Sequence, residues 1–380
     1  MNSVLLVGVG GYGGLNAKEV LENMNAHNSF VAGIVEPFIE NSPIKDRIGN
    51  IPVYKTLEEF YEKHTADLAV ISTPIHLHAE QCIFAMSRGS DVLCEKPIAP
   101  TIQQAQEMDA AAKKYNRHLN IGFQLCYAEP MLELKRNFKR FGKLKGIDVL
   151  VSWPRNSAYF ARPWAAKREM NGKVILDSIM MNACAHYFEN PLFLLGDEPD
   201  KAAMPERIRG KLIRANNIEM FDTAIIEAEV NSVPFRYAVT HCGEENINPL
   251  TKFTFEDSAV FITIGEGDDA MFVEYNDGTR ENLGSSYKHP FEKIWYALDV
   301  FNEKKQPVCT VKTALPHLVC VDAVSEKLNI ETETDFIEKD GVRIINGLLE
   351  KFERAYKNSS LDEFELSDWI DLCPYREYIK

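Results

Sequence analysis

Residues 4–14 of the chain read Val-Leu-Leu-Val-Gly-Val-Gly-Gly-Tyr-Gly-Gly, and this stretch decides the fold. The four apolar residues predict a buried parallel strand. The strand ends at Gly8, where the spacing Gly-x-Gly-x-x-Gly begins, and a helical pattern starts near Tyr12. Glycines at this spacing allow a tight turn, a close approach of pyrophosphate, and close packing of helix on strand. The stretch predicts a dinucleotide site at the helix N-terminus, the alternative being a structural turn without ligand. The expected contacts are Gly8, Gly10, Gly11, Tyr12 and Gly13.

An acid follows the second predicted strand, residues 30–35. This acid, Glu36, comes 23 residues after Gly13, close to the roughly 20 residues expected for the acid that binds the adenosine ribose. A carboxylate there accepts hydrogen bonds from ribose hydroxyls and repels a 2′-phosphate. The nearest basic residues that follow are Lys45 and Arg47. NAD is therefore favoured over NADP.

Length and composition bound the class of protein. The chain has 380 residues, enough for two domains, with 45% hydrophobic and 26% charged residues as in soluble globular proteins. A net charge of −14 argues against nucleic acid as a partner, and no apolar run approaches the length of a membrane span. The first strand starts within five residues, so we expect no signal peptide and a cytoplasmic protein. The eight cysteines form no Cys-x-x-Cys pair, so we expect free thiols and no metal site.

Strand and helix patterns alternate through the first third of the chain. Further strands are predicted at 51–54, 67–72, 91–94 and 118–122. This alternation predicts a Rossmann domain, a doubly wound parallel sheet, over residues 1–123. Ligands bind such sheets at the carboxyl ends of the strands. The polar and loop residues expected to border the cofactor there are Thr73, Pro74, His76, Glu95, Lys96 and Gln124.

Lys96 is the first candidate for chemistry. An ammonium beside the nicotinamide is suited to hydrogen-bond the reacting oxygen and to stabilise a developing alkoxide. The alternative is a solvated lysine at the start of a loop.

From residue 124 onward, alternating strands are joined by turn residues. They are predicted at 144–153, 224–230, 235–241, 252–256, 259–264 and 270–275. The pattern indicates an α/β domain over residues 124–380 with a mostly antiparallel sheet. A helical stretch from 174 to about 195 carries His186, a candidate general base, or alternatively a core histidine on an apolar face. Asn182, one turn earlier, is expected to orient the substrate or His186 by hydrogen bonds.

Together these motifs resemble the Gfo/Idh/MocA oxidoreductase family. The resemblance is carried by the glycine motif, Thr73-Pro74-x-His76-x-His78, Asp91-Val-Leu-Cys-Glu-Lys-Pro97, Gly122-Phe123-Gln124 and the helix that ends in His186. It implies a Rossmann domain plus an α/β domain with a large open sheet that commonly mediates oligomerisation, so a homo-oligomer is expected. It also implies NAD(P)-dependent hydride transfer at a secondary alcohol, usually on a sugar, inositol or related polyol.

One position departs from the family pattern. Many members carry an Asp one helical turn before the His, whereas this chain has Asn182. The nearest upstream acid is Asp177, which either replaces the missing acid or caps the helix. The stretch before it is rich in aromatic residues and arginine, which suit sugars or aromatic aglycones, although an ordinary surface loop is the alternative. The expected substrate contacts are Lys96, Tyr127, Arg155, Tyr159, Arg162, Trp164, Asp177, His186 and His241.

Three hypotheses of function follow. The first is an NAD-dependent dehydrogenase acting on a secondary hydroxyl of a sugar, glycoside or polyol, with Lys96 and His186 at the reaction centre. The second retains NAD and oxidises the sugar only transiently, for elimination of a glycosidic bond, or oxidises a glycoside at its 3-position. The third is a non-catalytic NAD-binding regulatory protein, against which the presence of both Lys96 and His186 argues.

Overall fold

A computed structural model describes residues 1–265, 267 and 269–379. The chain divides into two compact units. One comprises Met1–Tyr127 and His289–Leu315, and the other comprises Ala128–Lys288 and Pro316–Lys380. The predicted domain boundary at residue 123 lies close to the end of the first segment, Tyr127. The main difference is that His289–Leu315 belongs to the first unit, whereas the prediction placed it in the second domain.

The first unit contains a six-stranded parallel sheet. In chain order its elements are β1 (Asn2–Val7), α1 (Gly11–Asn23), β2 (Ser29–Val35), β3 (Val53–Tyr54), α2 (Leu57–Tyr61), β4 (Leu68–Ile71), α3 (His78–Ser87), β5 (Asp91–Cys94), α4 (Ile102–Tyr115) and β6 (Leu119–Ile121). The strand order is β3-β2-β1-β4-β5-β6, with every pair parallel. This is the order of dinucleotide-binding folds, whose ligands lie where the order reverses, between β1 and β4. The predicted Rossmann domain is confirmed.

The second unit is built on a ten-stranded sheet. Its first elements are α5 (Glu129–Asn137), β7 (Leu144–Ser152), α6 (Ser157–Phe160), β8 (Glu169–Met170), β9 (Lys173–Val174), α7 (Ala185–Leu195), β10 (Arg207–Arg214), β11 (Thr223–Val230), β12 (Val233–Thr240), β13 (Ile247–Phe255), β14 (Ser258–Thr263), β15 (Met271–Tyr275) and β16 (Arg280–Gly284). The chain continues with α8 (Glu292–Phe301), α9 (Val311–Lys327), β17 (Ile330–Thr332), β18 (Phe336–Lys339), β19 (Val342–Ile345), α10 (Leu348–Asn358) and β20 (Ile370–Asp371). Short 3-10 helices lie at Ile39–Asn41, Lys45–Arg47, Ile75–Leu77, Gln124–Tyr127, Phe138–Phe141 and Cys373–Ile379.

The large sheet is mixed but mostly antiparallel, as predicted. Its order is β16-β15-β14-β13-β7-β12-β11-β10-β17, and β20 also pairs with β10. Only the β7–β12 and β10–β17 pairs are parallel among its described strands. Both faces are covered at the centre. Phe235 and Tyr237 of β12 contact Phe188 of α7 at ring distances of 4.9 and 5.2 Å, while Ala238 joins a cluster with Phe352 of α10.

Helix α8 belongs to the first unit because its apolar face packs on the Rossmann core. Ile294 and Leu298 share a buried cluster with Val4 of β1. Trp295 donates from Nε1 to Glu19 Oε1 at 2.8 Å, and its ring stacks on His27 at 3.8 Å. The chain therefore returns to the first unit after β16, a connection that the predicted domain of residues 124–380 does not include.

The helix predicted from residue 174 to 195 is not continuous. The backbone is extended at Ser178, a π-helical turn spans Ile179–Ala183, and Cys184 breaks the helix with φ −107° and ψ 13°. The Ser178 hydroxyl accepts from Met181 N at 3.1 Å and caps the turn. Helix α7 then begins at Ala185. The prediction of one continuous helix through Asn182 and His186 is therefore wrong, because Cys184 separates the π-helical turn from α7.

None of the helices in the described part of the chain combines the length and hydropathy of a membrane span. All eight cysteines are free thiols, seven of them buried and Cys373 exposed. The described residues include no group of three or more His, Cys, Asp and Glu placed to hold a metal ion.

Candidate functional site

The glycine turn after β1 has the geometry of a pyrophosphate cradle. Gly8 adopts a left-handed φ of +76°. A Cβ on Gly13 would lie 2.1 Å from the Gly8 carbonyl oxygen, so only glycine fits. Gly10 caps α1 without a side-chain hydrogen bond, and no atom lies within 4 Å of the position of its missing Cβ. Free N–H groups and open space at a helix N-terminus fit the pyrophosphate of a dinucleotide.

Glu36 lies directly beside this turn. Its Oε2 accepts from Val9 N, and its Oε1 accepts from Phe38 N, both at 3.0 Å. The carboxylate is half-buried and fixed in orientation by these two bonds. Arg47, one of the nearest basic residues in sequence, pairs with Glu22 at 2.6 Å. The acid side chain is thus held where the fold places the adenosine ribose.

Two further predicted cofactor residues are bonded to each other. The Tyr12 hydroxyl donates to Gln124 Oε1. Gln124 is buried and Tyr12 is exposed at the start of α1. The ammonium of Lys293 lies 4.8 Å from the centre of the Tyr12 ring.

The loops after β4 and β5 are tied together by His78. Its Nδ1 lies 2.9 Å from the Pro97 carbonyl oxygen and its Nε2 lies 2.9 Å from the Thr73 carbonyl oxygen. Carbonyl oxygens only accept, so both ring nitrogens donate when the imidazole is charged. Burial disfavours the charged form, but Cys94 and the two carbonyls outweigh it and raise the pKa of His78 to about 9. Pro74 is exposed and His76 is half-buried on the short turn between these loops.

This raised pKa makes stability depend on pH. The folded pKa of about 9 lies above the reference value of about 6.5. The stabilisation is therefore complete below pH 6.5 or so and is lost as the pH rises through 9. We expect the free energy of unfolding in urea to fall more in the wild type than in His78→Gln between these pH values. Parallel pH dependences of the two proteins would contradict the assignment.

Glu95 is predicted to border the cofactor, but its carboxylate faces the protein interior and binds other residues of the chain. Oε1 accepts from Asn16 Nδ2 at 2.8 Å and from Lys293 Nζ, and Oε2 accepts from Lys96 N at 3.2 Å. Glu95 is 6% exposed and Lys293 is fully buried. Burial raises the pKa of Glu95, but the Lys293 ammonium and the hydrogen bonds outweigh it and hold this pKa below its usual value. Glu95 thus anchors the backbone of Lys96, whose peptide bond to Pro97 is cis.

Asn16 and Lys293 are site residues that the sequence reasoning missed. Asn16 lies on the buried face of α1 beside Ala17 and Val20. Lys293 occupies the buried face of α8 together with Ala297 and Val300. The signal that could have found them is a polar residue that lies on the apolar face of a helix, in line with apolar residues at i+4 and i+7. Such a residue is expected to have a buried hydrogen-bond or ion-pair partner.

Tyr127, a predicted substrate residue, is instead part of the core of the first unit. It is 1% exposed, and its hydroxyl donates to the Ile121 carbonyl at 2.8 Å. Its ring packs on Tyr296 at 5.4 Å. Burial raises its pKa well above the usual range. The hydroxyl is already used by the backbone, so the structure gives it no part in substrate contact.

In the second unit, the predicted arginine and aromatic residues form one cluster. Arg155 and Arg162 stack on the Tyr159 ring, with Cζ to ring-centre distances of 5.1 and 3.8 Å. Arg162 also lies over Trp164 at 4.3 Å, and the His241 ring lies 5.4 Å from that of Tyr159. These side chains therefore pack on one another, and their contact with a substrate stays a prediction.

His241 lies beneath this cluster and is 2% exposed. Its Nδ1 is 2.8 Å from the Trp153 carbonyl oxygen. Burial, with the charges of Arg155 and Arg162, lowers its pKa to about 3 despite that bond. The imidazole is therefore neutral, and Nδ1–H donates to the carbonyl.

Asp177 and Asn182 are bonded to each other. Asp177 Oδ1 accepts from Asn182 Nδ2 at 2.8 Å, and Oδ2 accepts from Ala166 N at 2.6 Å. Of the two roles predicted for Asp177, helix capping is wrong because Ser178 is the cap. His186 is the second residue of α7 and is half-buried. Its ring lies 6.3 Å from Tyr187, which contacts Trp153 at 5.6 Å.

The strand order and glycine turn define a dinucleotide-binding Rossmann domain. Residues 3–123 match the model of the oxidoreductase family with an NAD-binding Rossmann fold. The match is confined to these residues, which are the part of the chain that carries the motifs resembling the Gfo/Idh/MocA oxidoreductase family.

Individual curated proteins are similar to parts of the chain. The chain is 26% identical to the rhizopine catabolism protein MocA of Rhizobium meliloti over 51% of this chain and 57% of that protein. It is 24% identical to inositol 2-dehydrogenase of Leifsonia xyli subsp. xyli over 62% of this chain and 69% of that enzyme. The chain thus spans little more than half the length of such curated relatives as the MocA protein.

A solved structure shares the fold over most of the chain. The WlbA dehydrogenase from Bordetella pertussis, in complex with NADH and UDP-GlcNAcA, has a TM-score of 0.67 at 19% identity. The match covers 86% of this chain and 95% of that one. At this identity the likeness shows the fold.

Proposed function

We propose that the chain is an NAD-dependent oxidoreductase that transfers a hydride between nicotinamide and a secondary hydroxyl of a sugar, glycoside or polyol. The observation that carries the proposal is the support of Lys96. Its backbone N–H is held by Glu95, which is itself bound by Asn16 and Lys293. Lys96 therefore follows β5 in a fixed loop at the carboxyl edge of the parallel sheet, where ligands of such folds bind.

The chemistry divides between cofactor and protein. NAD, when bound, accepts the hydride. The residues that would hold it are those of the glycine turn, with Glu36 on the ribose. The Lys96 ammonium hydrogen-bonds the reacting oxygen and stabilises its developing negative charge. His186 takes the hydroxyl proton as general base and returns it in the reverse direction.

Asn182 is proposed to orient the substrate or His186. The Asn182 amide nitrogen already donates to Asp177 Oδ1, and this bond orients the amide and its carbonyl oxygen. In this role Asp177 holds Asn182 in place and does not need to accept the proton of the substrate hydroxyl. Asp177 is the alternative acid of the site.

The direct test is a screen of free sugars, inositols and glycosides with purified protein and NAD, read at the absorbance of NADH. Steady NADH production supports the dehydrogenase. Product formation without net NADH, together with NAD released on denaturation, indicates the transient use of retained cofactor. NAD binding with no turnover of any member of the panel counts against both enzymes and favours a binding protein.

Glu36 is expected to set the preference for NAD over NADP. We expect Glu36→Gln to lower the ratio of kcat/KM for NAD to that for NADP about a hundredfold, because it removes the repulsion of the 2′-phosphate and weakens the ribose contact. Steady-state kinetics with both cofactors measure this ratio. The matched control is Glu40→Gln on the neighbouring Ile39–Asn41 turn. An unchanged ratio in Glu36→Gln would argue against the ribose assignment.

We also propose that the protein is a cytoplasmic homo-oligomer that associates through its large sheet, as the family resemblance implies, with a small molecule as substrate. The net charge of −14 supports the exclusion of nucleic acid and anionic membrane surfaces as partners. Light scattering of the purified protein measures the number of subunits, and a monomer at micromolar concentration would refute this part of the proposal.

A further inference from the structure

Two guanidinium groups of the second unit lie over the same aromatic ring, and no acid of the described residues forms an ion pair with either. Arg155 and Arg162 both stack on Tyr159. Other half-buried arginines of this unit, Arg209 and Arg236, pair with Glu227 and Asp148 at 2.6 and 3.2 Å. Within the described residues, neither Arg155 nor Arg162 forms such an ion pair.

Part of the hydrogen-bonding capacity of both groups is unused. Arg162 donates from Nε to the Tyr159 carbonyl at 2.9 Å. Arg162 Nη2 and Arg155 Nε, however, are buried atoms with no hydrogen-bond partner in the described part of the chain. A buried donor left without an acceptor is costly, and a charged one more so. The cluster is therefore arranged for an acceptor that the described residues do not supply.

The charged groups around the two arginines have other partners or are neutral. The carboxylate of Asp177, which also acts on Tyr159, accepts from Ala166 N and from the Asn182 amide. Lys167, the next base along the chain, is paired with Glu219 at 2.8 Å. The lowered pKa of His241, caused first by burial and also by the two arginine charges, keeps that ring neutral.

We propose that Arg155 and Arg162 bind an anionic oxygen group, a carboxylate or a phosphate, carried by the substrate. The planar fork of a guanidinium matches both groups through paired N–H bonds. Arg155 Nε and Arg162 Nη2 are the donors that such an anion would satisfy. The identification of this ligand as a substrate rests on the proposed function, and the substrate is then an acidic sugar or polyol.

The test measures binding without turnover. Calorimetric titrations of the full chain in NADH use glucuronate, galacturonate and glucose 6-phosphate, with glucose and galactose as neutral counterparts. We expect an acidic member to bind about tenfold to a hundredfold tighter than its neutral counterpart. We expect Arg155→Gln and Arg162→Gln each to remove most of this advantage. The stronger of the uronate and phosphate responses identifies the group.

The control is Arg88→Gln, because Arg88 also stacks on an aromatic ring, that of Phe84 at 4.8 Å. It is expected to leave the advantage of the acidic ligand unchanged. Equal affinities for acidic and neutral ligands, no binding by any acidic member, or an advantage that survives both arginine substitutions would overturn the inference.

NADH formation, measured separately, distinguishes this inference from the proposed function. Arginine-dependent binding of an acidic sugar without NADH formation supports the anion site and counts against the dehydrogenase. Oxidation of a neutral sugar, with no advantage in affinity for its acidic counterpart, supports the dehydrogenase and overturns the anion site.

Discussion

Lys96→Ala is expected to lower kcat about a thousandfold, because removal of one preorganised group that stabilises a developing oxyanion costs about 10² to 10³ in rate. The loop should persist, since the bond from Lys96 N to Glu95 Oε2 uses the backbone and not the removed side chain. The affinity for NAD is therefore expected to change little. Single-turnover NADH formation measures the chemical step, and quenching of protein fluorescence measures NAD binding.

The matched control is Lys113→Ala, which removes an exposed lysine paired with Asp109 on α4 at 2.6 Å. Its kcat is expected to equal that of the wild type. His186→Asn provides the second arm, with an expected loss of about 10² to 10⁴ and disappearance of one limb of the pH profile of kcat/KM. If both residues act on one step, the double variant is expected to lose little more than the worse single variant. A Lys96→Ala protein that keeps most of its turnover would refute the role.

The elements best predicted from the sequence are those whose structure is determined by residues that are close together in the chain. The apolar run of β1, the glycine turn and α1 follow one another in the chain, so their packing is encoded within a few residues. The alternation of strands and helices extends this to the parallel sheet, while the ribose contact of Glu36, inferred from its spacing after Gly13, stays a prediction. The same reasoning correctly gathers Arg155, Tyr159 and Arg162, because they lie within one short loop.

Features that depend on distant contacts could not be predicted. Nothing local in α8 indicates on which sheet its apolar face packs, and its partners in β1 are almost 300 residues away. Tyr127 is misassigned for the same reason, since its burial comes from Tyr296 and the backbone near Ile121. The periodicity between 174 and 195 is real, but it cannot show that Ser178 starts a π-helical turn and that Cys184 breaks it.

Lys293→Met is expected to lower the free energy of unfolding by about 3 to 5 kcal/mol, the usual cost of removing one partner of a buried ion pair. Methionine keeps most of the volume of lysine, so the loss comes mainly from the Glu95 carboxylate that stays buried without its cation. Urea unfolding at pH 7 measures the change. Lys305→Met, which removes a partly exposed lysine at 3.5 Å from Asp299, is the matched control and is expected to cost at most about 1 kcal/mol.

The dependence on pH and on Glu95 tests whether charge or packing is responsible. In the wild type the lowered pKa of Glu95 means that its stabilisation is present above the usual carboxyl range and is lost as the pH falls through the lowered value. Without Lys293, burial dominates and raises that pKa, so the cost of Lys293→Met should shrink as the pH falls toward 5. Glu95→Gln combined with Lys293→Met should recover much of the loss, because no buried charge remains. A cost that is independent of pH and that the double variant does not relieve would mean that Lys293 acts by filling space, and that the support of Lys96 does not depend on the buried pair.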